Sequence, residues 1–225
     1  MKILAVGAHA DDIEIAAGGI LSDASDAGHE VYMCITTVSG YDDLQGNLAR
    51  GNDIARAEAE DAAKILGAKE LITLTFQTRE MPYNGASVTE IERQINKIKP
   101  DIILGHWPHD THQDHRAAAL STITAARRHN KVLMFEPFTP SGRSYEAFRG
   151  QAYFSVTDKA RANKSEALRA HKSEHEKFGE ETWVKAVEAR GVLRGFEVGT
   201  GFAECFEVLR WDLTFSVDAT RSMRL

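Results

Sequence analysis

The chain has 225 residues, 43% of them hydrophobic, enough to bury a substantial core in one α/β domain over residues 1–225. Its formal net charge is −6 and its 27 Lys and Arg form no long block, which excludes the concentrated basic face that nucleic acid requires. No run approaches the ~20 apolar residues of a membrane span, and no signal-peptide core opens the chain, so a cytoplasmic protein with neither membrane nor nucleic-acid partner is expected.

The first apolar run, Ile3-Leu4-Ala5-Val6, predicts a strand over 2–8 that breaks into Ala8-His9-Ala10-Asp11-Asp12. A helix over 13–28 follows, with Gly28 as its stop, then a strand over Glu30–Thr37 and an aperiodic loop over 38–48. Helical spacing returns over 52–66, a strand over 71–76, and a polar loop over 77–86. Ser87-Val88-Thr89-Glu90 reads as a capping box for a helix ending before Pro100, and Asp101 to Gly105 as the fourth strand. Beyond it the pattern predicts a helix over 116–128, a strand over 132–135 and a Pro-, Gly- and Ser-bearing loop over 136–150. A short strand over 153–156, a long helix over 159–178, a helix over 182–193 and a strand over 202–211 complete the reading. Cys34 and Cys205 lie inside apolar runs without metal spacing and read as buried thiols of a reduced protein. Strands alternating with helices give a Rossmann-like, mostly parallel sheet with helices on both faces.

The chemistry gathers at two strand ends. His9, Asp11 and Asp12 follow the first strand, and His112-Gln113-Asp114-His115 follows the fourth. Open parallel sheets bind ligands at the carboxyl ends of their strands. Alone, His9 and Asp12 are equally a turn-capping imidazole with an exposed carboxylate pair; the second cluster tips the balance. A catalytic Zn²⁺ takes three N/O ligands and leaves a position for water, a count that His9, Asp12 and one histidine of the second cluster meet. Zinc with one carboxylate and two neutral imidazoles keeps a positive charge, which stabilises an oxyanion and acidifies bound water. Asp11, outside that set, is placed to take the water's proton. The glycines do not form G-x-G-x-x-G, and Asp11 and Asp12 would repel a pyrophosphate, so dinucleotide binding is a poor reading. Gly18-Gly19 instead reads as permitting close helix packing.

With these residues in place, the sequence resembles the zinc-dependent de-N-acetylases of the PIG-L/LmbE group, which hydrolyse N-acetyl groups on glucosamine-containing molecules. The group's A-H-P-D-D stands here as Ala8-His9-Ala10-Asp11-Asp12, and its P-x-D-x-H-x-D-H as Pro108-His109-Asp110-Thr111-His112-Gln113-Asp114-His115. Weaker echoes are Glu58 with Ala62-Ala63 and Leu66-Gly67, Lys164 to Glu174, and Gly201 to Phe206. The resemblance implies that His9, Asp12 and His115 bind zinc, and that Asp11 is the general base. It also implies that His112, oriented by Asp114, stabilises the oxyanion or protonates the leaving amine, and that the chain assembles as a homo-oligomer. The expected substrate is an N-acetylated (or otherwise N-acylated) amino-sugar-containing small molecule. A phosphoester hydrolase is the rival enzyme and a non-catalytic sugar-binding module the rival class; an intact Asp11 disfavours the module.

Two departures stand out. Ala10 replaces the motif's proline, and Arg56 stands one step past the position, 55, where the resemblance would put a substrate-binding arginine; one step turns a helical side chain by ~100°. Among the remaining histidines, His106 and His109 are candidates for substrate contact or for packing, His29 and His129 are helix-end residues, and His171 is expected near the site mouth. His171 and His175, four apart on a helix, lack a third ligand. Tyr41, Asp42, Arg79, Tyr83, Trp107 and Arg143 are loop residues able to stack on or hydrogen-bond a sugar, or to be ordinary solvated positions.

Overall fold

In a computed structural model describing residues 1–179 and 181–212, nine strands and seven helices follow one another along the chain. The first half holds β1 (Lys2–Gly7), α1 (Asp12–Asp26), β2 (Glu30–Thr37), β3 (Tyr41–Asp42), β4 (Leu48–Arg50), α2 (Asn52–Ile65), β5 (Glu70–Phe76) and α3 (Gly85–Ile98). The second holds β6 (Ile102–Gly105), α4 (Gln113–Ala125), β7 (Lys131–Phe135), β8 (Ala152–Ser155), α5 (Asp158–Ala170), α6 (Lys172–Phe178), α7 (Thr182–Glu197) and β9 (Ala203–Trp211).

Seven strands form one sheet in the order β5-β2-β1-β6-β7-β9-β8. The first five are parallel, and β9 runs antiparallel to both β7 and β8. Successive side chains of β1 serve opposite faces, as strand geometry requires. Ile3 and Ala5 pack with Ile13 and Leu21 of α1 and Ala59 and Ala62 of α2. Leu4 and Val6 pack with Ile91 and Ile95 of α3 and Ala118 of α4. The mostly parallel sheet covered on both faces is thus the architecture the alternation predicts.

The topology decides where the site lies. β1 and β6 are direct neighbours, with Val6 opposite Gly105, so both chains leave the sheet level with each other. Gly7 makes the first turn tight, since a Cβ there would stand 2.9 Å from Ile13 Cγ1. Gly18 and Gly19 do admit close packing: added Cβ atoms would meet Lys164 Cγ at 3.1 Å and Val156 Cγ1 at 2.8 Å.

Several boundaries differ from the pattern-based reading. A hairpin, β3 paired with β4, takes up most of the expected 38–48 loop and runs on to Arg50, with strands too short to leave a periodicity. Asn84, not Ser87, caps α3; Ser87 is the partner three residues on, and its hydroxyl accepts the Asn84 amide. The helix expected from 116 starts at Gln113 because His112 is its cap, its Nδ1 accepting the Asp114 amide at 3.2 Å. That start puts Asp114 and His115 on the first helical turn. The long helix over 159–178 breaks at His171, which turns the chain so that the Ser173 amide and hydroxyl reach Glu58 at 2.8 and 2.7 Å. Cys34 and Cys205 are both buried free thiols.

Candidate metal centre and active site

The turn after β1 is built around one carboxylate. The Ala8 and His9 amides both donate to Asp12 Oδ2, at 3.1 and 2.6 Å, at the start of α1. Asp11 precedes it with φ 129°, a region an L-residue occupies only under constraint, and its side chain makes no capping bond. Its carboxylate instead lines the cavity at the strand ends. Burial, then the charges of Asp12 and Glu174, push it up to about 7.

His9, Asp12 and His115 meet at this point. His9 Nδ1 lies 3.2 Å from His115 Nε2 and 3.4 Å from Asp12 Oδ2, and His115 Nε2 lies 3.3 Å from Asp12 Oδ1. The two Asp12 separations involve different oxygens, and all three are close to the edge, about 3.3–3.4 Å, of a tetrahedron of N/O ligands about 2.0–2.1 Å from its centre. The far side of each imidazole is held by a carboxylate. His9 Nε2–H donates to Asp114 Oδ2 at 2.9 Å and His115 Nδ1–H to Asp110 Oδ2 at 3.0 Å. With their inner nitrogens deprotonated, rings oriented in this way would turn two lone pairs and one carboxylate toward a common centre, an arrangement that favours a cation. The donor set therefore fits a divalent metal.

Its electrostatics agree. Burial works against the Asp12 anion, but His115 and His106 outweigh it and hold its carboxyl well below the usual carboxylate range. Burial likewise opposes charge on His9 and His115, yet Asp114 and Asp12 raise the first to about 9, and Asp12 and Asp110 raise the second to about 10. His112 goes the other way: burial and the two neighbouring imidazoles lower it to about 4. It is a neutral ring, and since its Nδ1 accepts from Asp114 N–H, its own hydrogen is on Nε2.

Two residues of the cluster, both singled out above, take roles that a reading by sequence does not assign. Asp110 lies in the second motif, but its service to His115 depends on the loop folding back. His106 is buried beneath the site, stacked on His115 at 4.2 Å and 3.1 Å from Asp12 Oδ2. Among the described residues, His9–His112–His115 and Asp12–His106–His115 also bring ligand atoms within 4.8 Å of one another, so the cluster consists of overlapping triads around His115. One expected role changes: the Asp114 carboxylate orients His9, not His112, and it also accepts the amides of Arg79 and Met81.

The cluster forms one end of a cavity of about 830 Å³. The opposite wall is the segment 135–141 with Trp183, Ala186 and Arg190 of α7, and the β3–β4 hairpin contributes Tyr41 and Arg50. Of the six loop residues left open by the sequence, Tyr41 and Arg79 line it, whereas Asp42, Tyr83, Trp107 and Arg143 do not. Trp107 is buried and donates to Glu207, and His109 packs against it edge-on. Arg56 points to solvent and pairs with Glu60. Arg50, just past the end of the aperiodic loop of the sequence, is a buried arginine here, paired with Glu58 at 2.9 Å and Glu174 at 3.2 Å. His171 is not at the mouth but fully buried behind α1, 3.3 Å from Glu14.

Residues 4–126, more than half the chain, match the family described as PIG-L: GlcNAc-PI de-N-acetylase. A diacetylchitobiose deacetylase of Thermococcus kodakarensis is 28% identical over 196 residues, covering 81% of this chain and 72% of that protein. An uncharacterized deacetylase of Escherichia coli, YaiS, is 33% identical over 177 residues, 76% of this chain and 90% of the relative. In fold, the chain is similar to N,N'-diacetylchitobiose deacetylase of Pyrococcus horikoshii, with a TM-score of 0.77 at 21% identity over 92% of this chain and 83% of that one. It is equally similar to the 4-carboxy-2-hydroxymuconate hydratase GalB of Pseudomonas putida, with a TM-score of 0.78 at 20% identity over 96% and 99%. By its matched domain and its 33%-identical relative, this chain belongs to the PIG-L family.

Proposed function

We propose that the protein is a zinc-dependent amidohydrolase that removes an N-acetyl or other N-acyl group from an amino-sugar-containing small molecule in the cytoplasm. The observation that carries this reading is the convergence of His9, Asp12 and His115 at 3.2–3.4 Å beside an unpaired Asp11. Deacetylase names among the relatives, one of them for diacetylchitobiose, support the class of bond and of substrate.

His9, Asp12 and His115 would hold the metal, which when bound acidifies water and polarises a carbonyl. Asp114 and Asp110 fix the two imidazoles through their outer nitrogens. Asp11, with its carboxyl near neutrality, accepts the proton of the attacking water. His112, neutral with its hydrogen on Nε2, donates to the oxyanion of the tetrahedral intermediate. Arg50 braces Glu174 beneath this arrangement and keeps that second carboxylate from Asp11's task.

Acetate release from a panel of N-acetyl amino sugars, with and without chelator, tests the reading. Expected is release from at least one member that chelation abolishes and zinc restores. Release that chelation leaves untouched, or none from any N-acyl amino sugar, would contradict it.

A further inference from the structure

The turn that carries Asp11 and Asp12 contains a buried amide whose partner has no role in the chemistry above. Ala10 N–H donates to Ser39 Oγ at 2.9 Å, and both residues are nearly inaccessible, 1% and 3% exposed. Ser39 itself is held in the left-handed region, φ 62°, an uncommon conformation for a residue with a side chain. Its amide donates to Thr37 Oγ1 at 3.3 Å, and its hydroxyl lies 3.4 Å from that oxygen. Thr37 in turn donates to Ala8 O through its amide at 3.0 Å and its hydroxyl at 2.8 Å. The end of β2 thus grips the turn on both sides of His9, by the Ala8 carbonyl and the Ala10 amide.

We propose that Ser39 is a positioning residue that takes over the task of the proline found in the related A-H-P-D-D motif, and that proline at 10 and serine at 39 exclude each other. The inference rests on the proposed metal centre for its affinity readout and on the deacylase reading for its effect on turnover, whereas amide exchange depends on neither. Proline fixes φ and has no N–H to satisfy; alanine leaves φ free and buries a donor. Here the donor is used: its bond to Ser39 fixes the His9–Ala10 peptide, one peptide ahead of Asp11, whose φ of 129° the turn must hold. The two solutions cannot coexist, because a proline ring carbon would occupy the amide hydrogen's place about 1.5 Å from the nitrogen. Ser39 Oγ, only 2.9 Å from that nitrogen, would overlap it.

The test is a cycle of Ser39→Ala, Ala10→Pro and the double variant, read first by zinc affinity in a competition assay and then by turnover. Each single change is expected to weaken zinc binding by ~10–100-fold, the usual effect of losing a group that orients a ligand. The double variant is expected to regain at least about tenfold of what the worse single variant lost. Losses that simply multiply in the double variant would overturn the proposal, as would unchanged zinc affinity in Ser39→Ala. Should Ala10→Pro fail to fold, amide exchange at Ala10 in Ser39→Gly decides. The glycine suits φ 62° but offers no acceptor, so exchange at least tenfold faster is expected, and unchanged protection would overturn the lock. If the wild type hydrolyses no N-acyl sugar while the affinity cycle behaves as expected, the deacylase reading fails and the lock stands.

Discussion

Asp11 and Asp12 are neighbours with opposite surroundings, and the proposed division of their work rests on that contrast. Asp12 accepts two backbone amides and touches three imidazoles, whereas Asp11 has a strained backbone, no capping bond and a carboxyl pushed up to about 7. Asp11→Asn should therefore keep zinc while turnover falls by ~10²–10⁴, the worth of a positioned base. Asp12→Asn should lose zinc affinity and recover part of its activity at high zinc. Bound zinc and steady-state rates for both variants check this, and an exchange of the two behaviours would reverse the assignment. His9 and His115 carry a pH prediction of their own. Their raised values, about 9 and about 10, mean that the metal-free rings hold protons at pH 7, while coordination requires free nitrogens. Zinc binding should release at least one proton per chain at pH 7 and tighten as pH rises toward those values. Calorimetry in buffers of different ionisation enthalpy measures the release, and a heat independent of buffer would contradict it. At this scale the sequence carried the motif residues, because strand ends mark where ligands bind. It did not carry Asp114's choice of His9 over His112, since that depends on which ring the first turn of α4 faces.

Among the elements, α1 is the one whose placement matters most, and a buried ion pair holds it. Glu204 of β9 accepts the amides of Gly19 and Ile20 at 2.8 and 2.7 Å and pairs with Lys164 of α5, which also donates to Ile15 O. Arg190 of α7 reaches the same carbonyl at 2.8 Å. Removing the charge of Glu204 would leave Lys164 buried without its counter-ion, at a cost of ~3–5 kcal/mol. Glu204→Gln should show that loss in urea unfolding; a loss below about 1 kcal/mol would mean that the pair is not what anchors α1. Most strands and helices were legible because apolar periodicity survives in them: β2 matches its expected bounds residue for residue. The hairpin β3–β4 was not, being two and three residues long, and with it Arg50 was missed. The start of α4 was hidden because histidine is not among the usual capping residues. The break at His171 answers to Glu58 and Glu14, partners 115 and 157 residues away that no local pattern encodes.

For the whole molecule, the fold brings the two motifs together through one adjacency, β1 beside β6, and leaves an open end of the sheet roofed by the 135–141 segment and α7. That scaffold alone does not fix a reaction, since a hydratase shares it as closely as a deacetylase does. The reading for this chain rests on the donor set at its strand ends. The most direct test is an anomalous difference map at the zinc edge from crystals of the zinc-loaded protein. The account predicts one peak per chain, about 2.0–2.2 Å from His9 Nδ1, an Asp12 carboxylate oxygen and His115 Nε2, with Asp11 outside the coordination sphere. A peak bound by His112 or His106 in place of any of these three, or no peak among them, would contradict it.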